Sequence, residues 1–142
     1  MSALASAGRV LVLAALSGCN GSLPFFRPAA PAADASTPHV IYFERDAYKV
    51  DDGYRTLLEA HARRMKASPG LRLLIQATTD RFGPVEYNLA LSRKRAEMVM
   101  KQLVSMGVPP ERLEIAGLGE VHHAARNGHE SAIDRRVELI YR

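Results

Sequence analysis

The sequence has few of the features that would indicate nucleic-acid binding or a membrane-spanning segment. It contains no tryptophan, and aromatic residues make up only 6% of its 142 residues. Stacking of bases needs exposed rings, so such a surface has little support. The net charge is only +4, with Lys and Arg interleaved with Asp and Glu, and this falls short of a nucleic-acid-binding patch. No run of eighteen apolar residues occurs, so no membrane-spanning helix is predicted.

The chain also has a single cysteine, which excludes an internal disulfide. Cys19 ends the stretch LVLAALSGC, which follows a short segment whose only cation is Arg9. A cation, an apolar stretch and small residues in that order predict an export signal over residues 1–18. Leu16-Ser17-Gly18-Cys19 resembles the bacterial lipobox, whose cysteine is acylated. The alternative is a plain secretory signal that ends near a cysteine.

The lipobox resemblance implies a location. Acyl chains on Cys19 would each contribute about 0.8 kcal/mol per buried CH₂, enough for firm anchoring. Asn20 follows the cysteine, and in lipoproteins of this type a residue other than Asp there implies delivery to the outer membrane. We therefore expect a lipid-anchored protein on the periplasmic face of the outer membrane.

Residues 19–38 are predicted to be a tether between the lipidated cysteine and a folded domain. This segment holds four of the eight prolines, among alanines and small polar residues. It has no periodic apolar positions, so we expect an extended and semi-stiff chain. At roughly 3 Å per residue, it would reach on the order of 50 Å from the lipid.

Residues 39–142 carry the periodic patterns of one folded domain. Strand patterns occur in HVIYF, LRLLIQAT, RLEIAGLG and RRVELIYR. A first helix follows Asp51 and Asp52 and stops at Ser68-Pro69-Gly70; a second begins near Pro84 and ends at Gly107. The order β-α-β-α-β-β predicts an α+β two-layer sandwich, with both helices on one face of a four-stranded mixed sheet.

Asp80 and Arg95 are the first candidates for a binding site. Asp80 ends an apolar strand, and ligands tend to gather at such strand ends. On a helical wheel Arg95 lies about 40° from Val99, on the shoulder of the apolar stripe. A guanidinium turned toward the body of the domain needs an anionic partner or several acceptors. The alternative reading of the pair is a structural salt bridge that pins the turn.

The residues around this pair resemble the OmpA-like peptidoglycan-binding domain family. The family's T-D-x-x-G turn corresponds to Thr79, Asp80 and Gly83, and its N-x-x-L-S-x-x-R-A helix corresponds to Asn88, Leu91, Ser92, Arg95 and Ala96. The first strand and turn end at Asp46, and the closing N-R-R-V element corresponds to Asp134-Arg135-Arg136-Val137. The resemblance covers essentially all of residues 39–142.

The resemblance implies non-covalent binding of diaminopimelate in the stem peptide of peptidoglycan, without catalysis or a cofactor. Asp80 would accept from the ligand's ammonium, and Arg95 would donate two parallel bonds to its carboxylate. Backbone N–H groups from Thr79 to Gly83 would add donors. A lysine-type stem lacks the terminal carboxylate, which gives discrimination. The expected binding residues are Asp80, Arg95, Thr79, Gly83, Asp46, Asn88, Leu91 and Arg135.

The chain departs from the family's usual residues at three places. Ala77-Thr78 stands where Gly-His is usual, Arg45 replaces an aromatic residue, and Asp134 replaces Asn. Ala77-Thr78 and Arg45 favour a second hypothesis, in which the domain is a protein-docking scaffold of an envelope machine (secretion, conjugation or Tol-like) with weak or no wall binding.

Three further chemistries have little support in the sequence. His122, His123 and His129 lack the spacing of a metal site. Glu44, Asp46, Asp51 and Asp52 suggest paired carboxylates for glycan cleavage, but the last two fit helix caps better. Ser92 lies on a helix and lacks the context of a nucleophile.

Overall fold

The computed structural model describes residues 39–121 and 132–142. The strands are β1 (Val40–Tyr42), β2 (Leu73–Thr79), β3 (Leu113–Glu120) and β4 (Arg136–Tyr141), and the helices are α1 (Arg55–Ala67) and α2 (Val85–Ser105). Short 3₁₀ turns cover Asp52–Tyr54, Pro110–Arg112 and Ala132–Asp134. The order is β-α-β-α-β-β, and the two helices pack on a four-stranded mixed sheet. The predicted fold is confirmed.

The sheet has the spatial order β1-β4-β2-β3. β2 is parallel to β3, with Leu73 opposite Leu113, and antiparallel to β4, with Ile75 opposite Leu139. β1 pairs antiparallel with β4. This topology places the carboxyl ends of β2 and β3 beside the amino end of β4. Asp80 follows β2 and Arg135 precedes β4, so the two residues meet at the same end of these two central strands.

Local signals account for the ends of the helices. Asp51 accepts from the Gly53 N–H at 2.8 Å and caps the 3₁₀ turn that leads into α1. Pro84 has extended dihedrals just before α2, and Glu86 lies in that helix's first turn, where its charge favours the helix dipole. Gly107 ends α2 with φ 92°, a left-handed conformation that suits glycine.

The core lies between the helices and the sheet. From α1 it takes Leu58, His61, Ala62 and Met65, and from α2 it takes Ala96, Val99 and Leu103; all are buried. These positions recur at the three- and four-residue spacing of a buried helical face. Within the residues that the structure describes, no helix has both the length and the apolar character needed to cross a membrane.

Candidate functional site

Asp80 directly follows β2. Its carboxylate pairs with Arg135, which directly precedes β4. Its Oδ2 lies 3.2 Å from Nη1 of Arg135, and the two side chains are only 10% and 12% exposed. Its Oδ1 accepts a long hydrogen bond from the Phe82 N–H at 3.4 Å. Arg135 also donates from Nε to the Phe43 carbonyl at 3.1 Å. Asp80 is therefore oriented by groups on both sides of it.

Arg95 does not form the ion pair with Asp80 that the sequence offered as a structural alternative. It is fully buried, and its guanidinium donates to three carbonyls, those of Ala47 at 2.8 Å, Glu44 at 3.0 Å and Thr78 at 3.3 Å. Its carbon Cζ lies 5.1 Å from the centroid of the Phe43 ring. Among the described residues, the cationic partner of Asp80 is Arg135. The first turn, residues 44–47, folds over Arg95, so backbone carbonyls become the partners of its guanidinium.

Burial lowers the pKa of Arg95 to about 10. The nearby carboxylates of Asp80 and Asp46 act in the opposite direction, whereas the charge of Arg135 adds to the lowering. The guanidinium is still protonated at neutral pH, since about 10 lies well above 7. The region thus holds a buried positive charge behind the turn that carries Asp46.

An open cavity of about 340 Å³ lies at this end of the strands, next to the carboxyl end of β2. Asp80 is on its wall, and Arg95 is not. The side chains around the cavity are those of the first turn, the strand end and the start of α2, namely Arg45, Asp46, Asp80, Phe82, Gly83, Pro84 and Tyr87. We call it the β2-end cavity. Asp80 and Arg95 therefore do not face one shared cleft in this structure: Asp80 is on the cavity wall, and Arg95 lies beneath the segment that forms the wall.

Two wall residues adopt left-handed backbone conformations. Gly83 has φ 101°, as its place in the turn predicted, and Asp46 has φ 52°, which is uncommon for a residue with a side chain. The Tyr87 hydroxyl donates to Oδ1 of Asp46 at 3.1 Å, and this hydrogen bond raises the pKa of Tyr87. Such strain is often found at binding sites, where the surrounding contacts hold the conformation.

Thr79 lies at the end of β2, next to Asp80. Its hydroxyl is buried and has no hydrogen-bond partner among the described residues. Its carbonyl accepts from the Val121 N–H at 3.3 Å. A buried unpaired hydroxyl is costly, but Thr79 does not line the β2-end cavity, so its contact with a ligand stays a prediction.

Two other motif residues hold α2 against β3. Asn88 is buried and donates from Nδ2 to Glu120 at 3.3 Å. The Ser92 hydroxyl accepts from the Gly119 N–H at 2.9 Å, which accounts for a buried serine without a catalytic role. Leu91 is buried. Neither Asn88 nor Leu91 lines the β2-end cavity, and their contact with a ligand stays a prediction.

The departures from the family pattern take specific places. Thr78 donates from its hydroxyl to the Asp134 carbonyl at 2.6 Å, and Asp134 lies 3.8 Å from Arg136. Arg45 lies over the Phe82 ring, with Cζ 5.4 Å from its centroid. Phe82 and Tyr87 are site residues that the sequence reasoning missed. Phe82 lies in the turn beside Gly83, and Tyr87 lies in the first turn of α2. Their closeness to Gly83 in the sequence was the signal that could have indicated them.

A larger cavity, of about 670 Å³, is lined by other residues of the same turn. The first turn lines both cavities: Phe43, Glu44 and Ala47 belong to the larger one, and Arg45 and Asp46 belong to the β2-end cavity. Segment 43–47 therefore contributes residues to both cavities, and its carbonyls accept hydrogen bonds from Arg95 and Arg135.

Several predictions fall outside the described residues. These are the export signal 1–18, the tether 19–38 with Cys19, and the three loop histidines His122, His123 and His129. Over residues 39–121 and 132–142, no three His, Cys, Asp or Glu side chains are grouped to hold a metal ion. Of the carboxylates considered for glycan cleavage, Asp51 is a turn cap.

Known proteins resemble this chain in sequence and in fold. The OmpA family profile matches residues 42–136. The chain is 33% identical over 143 residues to a peptidoglycan-associated lipoprotein of Haemophilus influenzae, covering 95% of this chain and 94% of the relative. It is 39% identical over 100 residues to one of Pseudomonas putida, covering 69% of this chain but only 60% of that protein.

A solved structure has a fold similar to that of this chain. The crystal structure of the peptidoglycan-associated lipoprotein from Burkholderia pseudomallei superposes with a TM-score of 0.69 at 40% sequence identity. The match covers 74% of this chain and 91% of that one. It supports both the mixed sheet and the placement of α2.

Proposed function

The chain belongs to the OmpA family, and from that premise we propose that it is a lipid-anchored envelope protein that binds peptidoglycan without catalysis. In this proposal Cys19 carries the lipid and residues 20–38 span the gap. Residues 39–142 hold the stem peptide, so the protein links the outer membrane to the cell wall. Two observations support this reading: the names of the relatives, and the large share of their length that the chain covers, 94% for one and 91% for the other.

One observation carries the proposal: the carboxylate of Asp80 lies on the wall of an open cavity and is already oriented by a cation. Diaminopimelate ends in an amino-acid centre with both an ammonium and a carboxylate. Its ammonium would take the place of Arg135 at Asp80. The displaced guanidinium keeps its bond to Phe43, so the exchange leaves both charges with partners.

Arg95 is proposed to receive the ligand's carboxylate. A guanidinium has five N–H donors, and three carbonyls account for three bonds here. Two donors remain for a carboxylate in a bidentate arrangement. Because the side chain is fully buried, segment 44–47 must move for the ligand to reach it. Rearrangement of a loop on binding is common in recognition.

A sacculus pull-down tests the proposal. Residues 20–142 are incubated with purified peptidoglycan sacculi and sedimented, in parallel with Asp80→Asn and with Glu111→Gln. Glu111 is an exposed carboxylate at the opposite end of the sheet. We expect Asp80→Asn to lower the affinity at least about tenfold, since a charged hydrogen bond contributes about 1.5–3 kcal/mol. Glu111→Gln should bind like the wild type. A wild-type chain that stays in the supernatant contradicts the proposal.

The larger cavity favours a second candidate function, docking of an envelope-complex protein. Tyr42 and Ile133 on its rim are 47% and 64% exposed, and apolar rims of this kind are typical of interaction sites. The two functions are compatible, because the two cavities share no lining residue. Absence of sacculus binding together with an intact fold would leave docking as the function.

A further inference from the structure

The chain enters the folded domain at the end that lies opposite the β2-end cavity. The cavity is next to the carboxyl end of β2, whereas β1 starts at the other end of the strands, where β4 finishes. There the His39 carbonyl accepts from the Leu139 N–H at 2.8 Å, and the Arg72 N–H, just before β2, donates to the Arg142 carbonyl at 3.0 Å. Residues 20–38 therefore join the domain at the end opposite the proposed wall contact.

This end of the domain is rich in cations, and we call it the basic end. It consists of residues 63–72, which end α1 and lead to β2, residues 106–112, which lead from α2 to β3, and Arg142. Residues 63–72 contain four cations and no acid, namely Arg63, Arg64, Lys66 and Arg72. Residues 106–112 add Arg112 and one acid, Glu111. The basic end thus has six cations against one acid.

The hydrogen bonds of three of these cations leave much of their charge uncompensated. Lys66 donates to the Met106 carbonyl at 3.1 Å, and Arg72 donates to the Glu111 carbonyl at 3.2 Å. Arg112 likewise donates to carbonyls, in the segment after α1. A carbonyl orients a cation without neutralising it, although the negative end of a helix dipole offsets part of the charge.

Two other cations of the basic end have partners of a different kind. Arg142 lies 3.2 Å from Glu114, and both side chains are more than half exposed, at 56% and 62%. Arg64 lies over the Tyr141 ring, with Cζ 4.1 Å from its centroid. The remaining exposed cations of this end are Arg63, Lys66 and Arg72.

We propose that the basic end is an interaction surface for the anionic phospholipid headgroups of the membrane that holds the lipid on Cys19. The inference rests on the proposed function for that anchor and assigns the domain a second surface, opposite the wall contact. Lys and Arg beside an anionic leaflet each strengthen binding by a factor of about five. The partner matches the surface in charge, and residues 20–38 connect Cys19 to this same end of the domain.

The connection to the lipid makes a weak contact sufficient. Residues 20–38 would reach on the order of 50 Å, so the basic end stays within that distance of the leaflet while the lipid is inserted. The contact is then intramolecular in effect, and the local concentration of headgroups is high. Without the lipid the same contact is weak, and salt weakens it further, because exposed charges are screened beyond about 10 Å at about 0.1 M ionic strength.

This contact also orients the domain. With the basic end against the leaflet, the β2-end cavity faces away from the membrane, because it lies at the other end of the strands. The membrane contact and the proposed wall contact use different residues. One molecule can therefore make both contacts at the same time.

Vesicle sedimentation at low ionic strength tests the inference with residues 20–142, which lack Cys19 and so carry no lipid. Vesicles of phosphatidylcholine alone are compared with vesicles of equal parts phosphatidylcholine and phosphatidylglycerol. The wild type is measured beside the double variant Arg63→Gln with Arg72→Gln. The matched control is Arg55→Gln with Arg93→Gln, which removes the same charge from exposed arginines that each pair with a glutamate four residues on.

We expect the wild type to partition onto the anionic vesicles at least about tenfold more strongly than onto the neutral ones. The Arg63 and Arg72 double variant should lower the anionic partition about ten- to thirtyfold, since two factors of about five are lost. The control pair should lower it by no more than about twofold, because its charges lie farther from the leaflet. Added salt should remove the preference of the wild type.

The contrary outcomes are distinct. Equal partition of the wild type onto both kinds of vesicle overturns the inference. A control pair that loses as much as the Arg63 and Arg72 pair also overturns it, because net charge and not position would then be the cause. Circular dichroism of each variant checks that the fold is retained.

The sacculus pull-down separates this inference from the proposed function. The Arg63 and Arg72 double variant should sediment with sacculi like the wild type, because the β2-end cavity is unchanged. A wild type that prefers anionic vesicles but stays in the supernatant with sacculi would contradict wall binding and leave the membrane surface standing.

Discussion

At the residue scale, Arg95 and Asp80 show how a buried charge organises a binding region. The guanidinium of Arg95 ties Glu44 and Ala47 of the first turn to Thr78 at the end of β2. Asp80, two positions after Thr78, is tied in turn to Arg135 before β4. These bonds bring together three segments that are far apart in the chain. Arg95 is therefore both a proposed ligand contact and a support of the site.

The substitution Arg95→Met is expected to destabilise the domain. It removes the donors to three carbonyls, and unsatisfied buried groups cost about 1–3 kcal/mol each, reduced where water can reach them. We expect a loss of about 2–4 kcal/mol in the free energy of unfolding, measured by urea denaturation. Arg93→Met is the matched control, since Arg93 is exposed on the same helix, and it should change stability by less than about 0.5 kcal/mol. An Arg95→Met domain as stable as the control would show that the three bonds contribute nothing.

At the element scale, the close approach of α2 to β3 determines how the helix carrying Arg95 sits on the sheet. Gly117 faces the helix so closely that an added Cβ would lie 2.6 Å from the Arg93 nitrogen and 2.7 Å from its Cα. The Ser92 hydroxyl binds the Gly119 N–H nearby. A glycine in a strand often marks such an approach of another backbone.

The substitution Gly117→Ala should push α2 away from β3. Because the obstacle is backbone, it cannot be relieved by a side-chain rotation, and we expect a destabilisation of about 1–3 kcal/mol. Gly70→Ala is the control, since a Cβ there meets nothing within 4 Å. Thermal unfolding of the two variants gives the comparison. Equal melting temperatures would mean that the helix can shift without cost.

At the scale of the whole molecule, the proposed function needs three parts in one order. A lipid holds the amino end of the mature chain, residues 20–38 cover the distance, and the domain grips the wall. Many such molecules side by side convert weak individual contacts into firm attachment, because each bound copy keeps the others near the wall.

Replacing Cys19 with alanine tests this arrangement. Without an acyl chain, the protein should leave the membrane fraction, lose incorporation of labelled palmitate, and still sediment with purified sacculi, because the domain is unchanged. Cell fractionation followed by immunoblotting measures the first effect. Retention of the Cys19→Ala chain in the membrane fraction, with labelling intact, would show that another residue carries the anchor.

The fold was predictable because its signals are local. The helical spacing of Leu58, His61 and Met65 and the apolar run of β2 are properties of neighbouring residues, and the structure confirms the elements they predict. The site was predictable only in part. Asp80 and Gly83 lie where the motif predicted. The helical wheel placed Arg95 on the inner side of α2, but it could not identify the groups that Arg95 contacts there.

Sequence alone determined the order of elements, the class of fold, the buried face of each helix and the presence of an inward-facing arginine, because each follows from short-range periodicity and turn chemistry. Tertiary structure decided which charges pair. Asp80 and Arg135 are separated by 55 positions, and they meet because β2 and β4 are adjacent in the sheet. Arg95 lies beneath segment 44–47 because that turn folds back over α2. Pairings of this kind depend on distances through space, which periodicity along a chain does not contain.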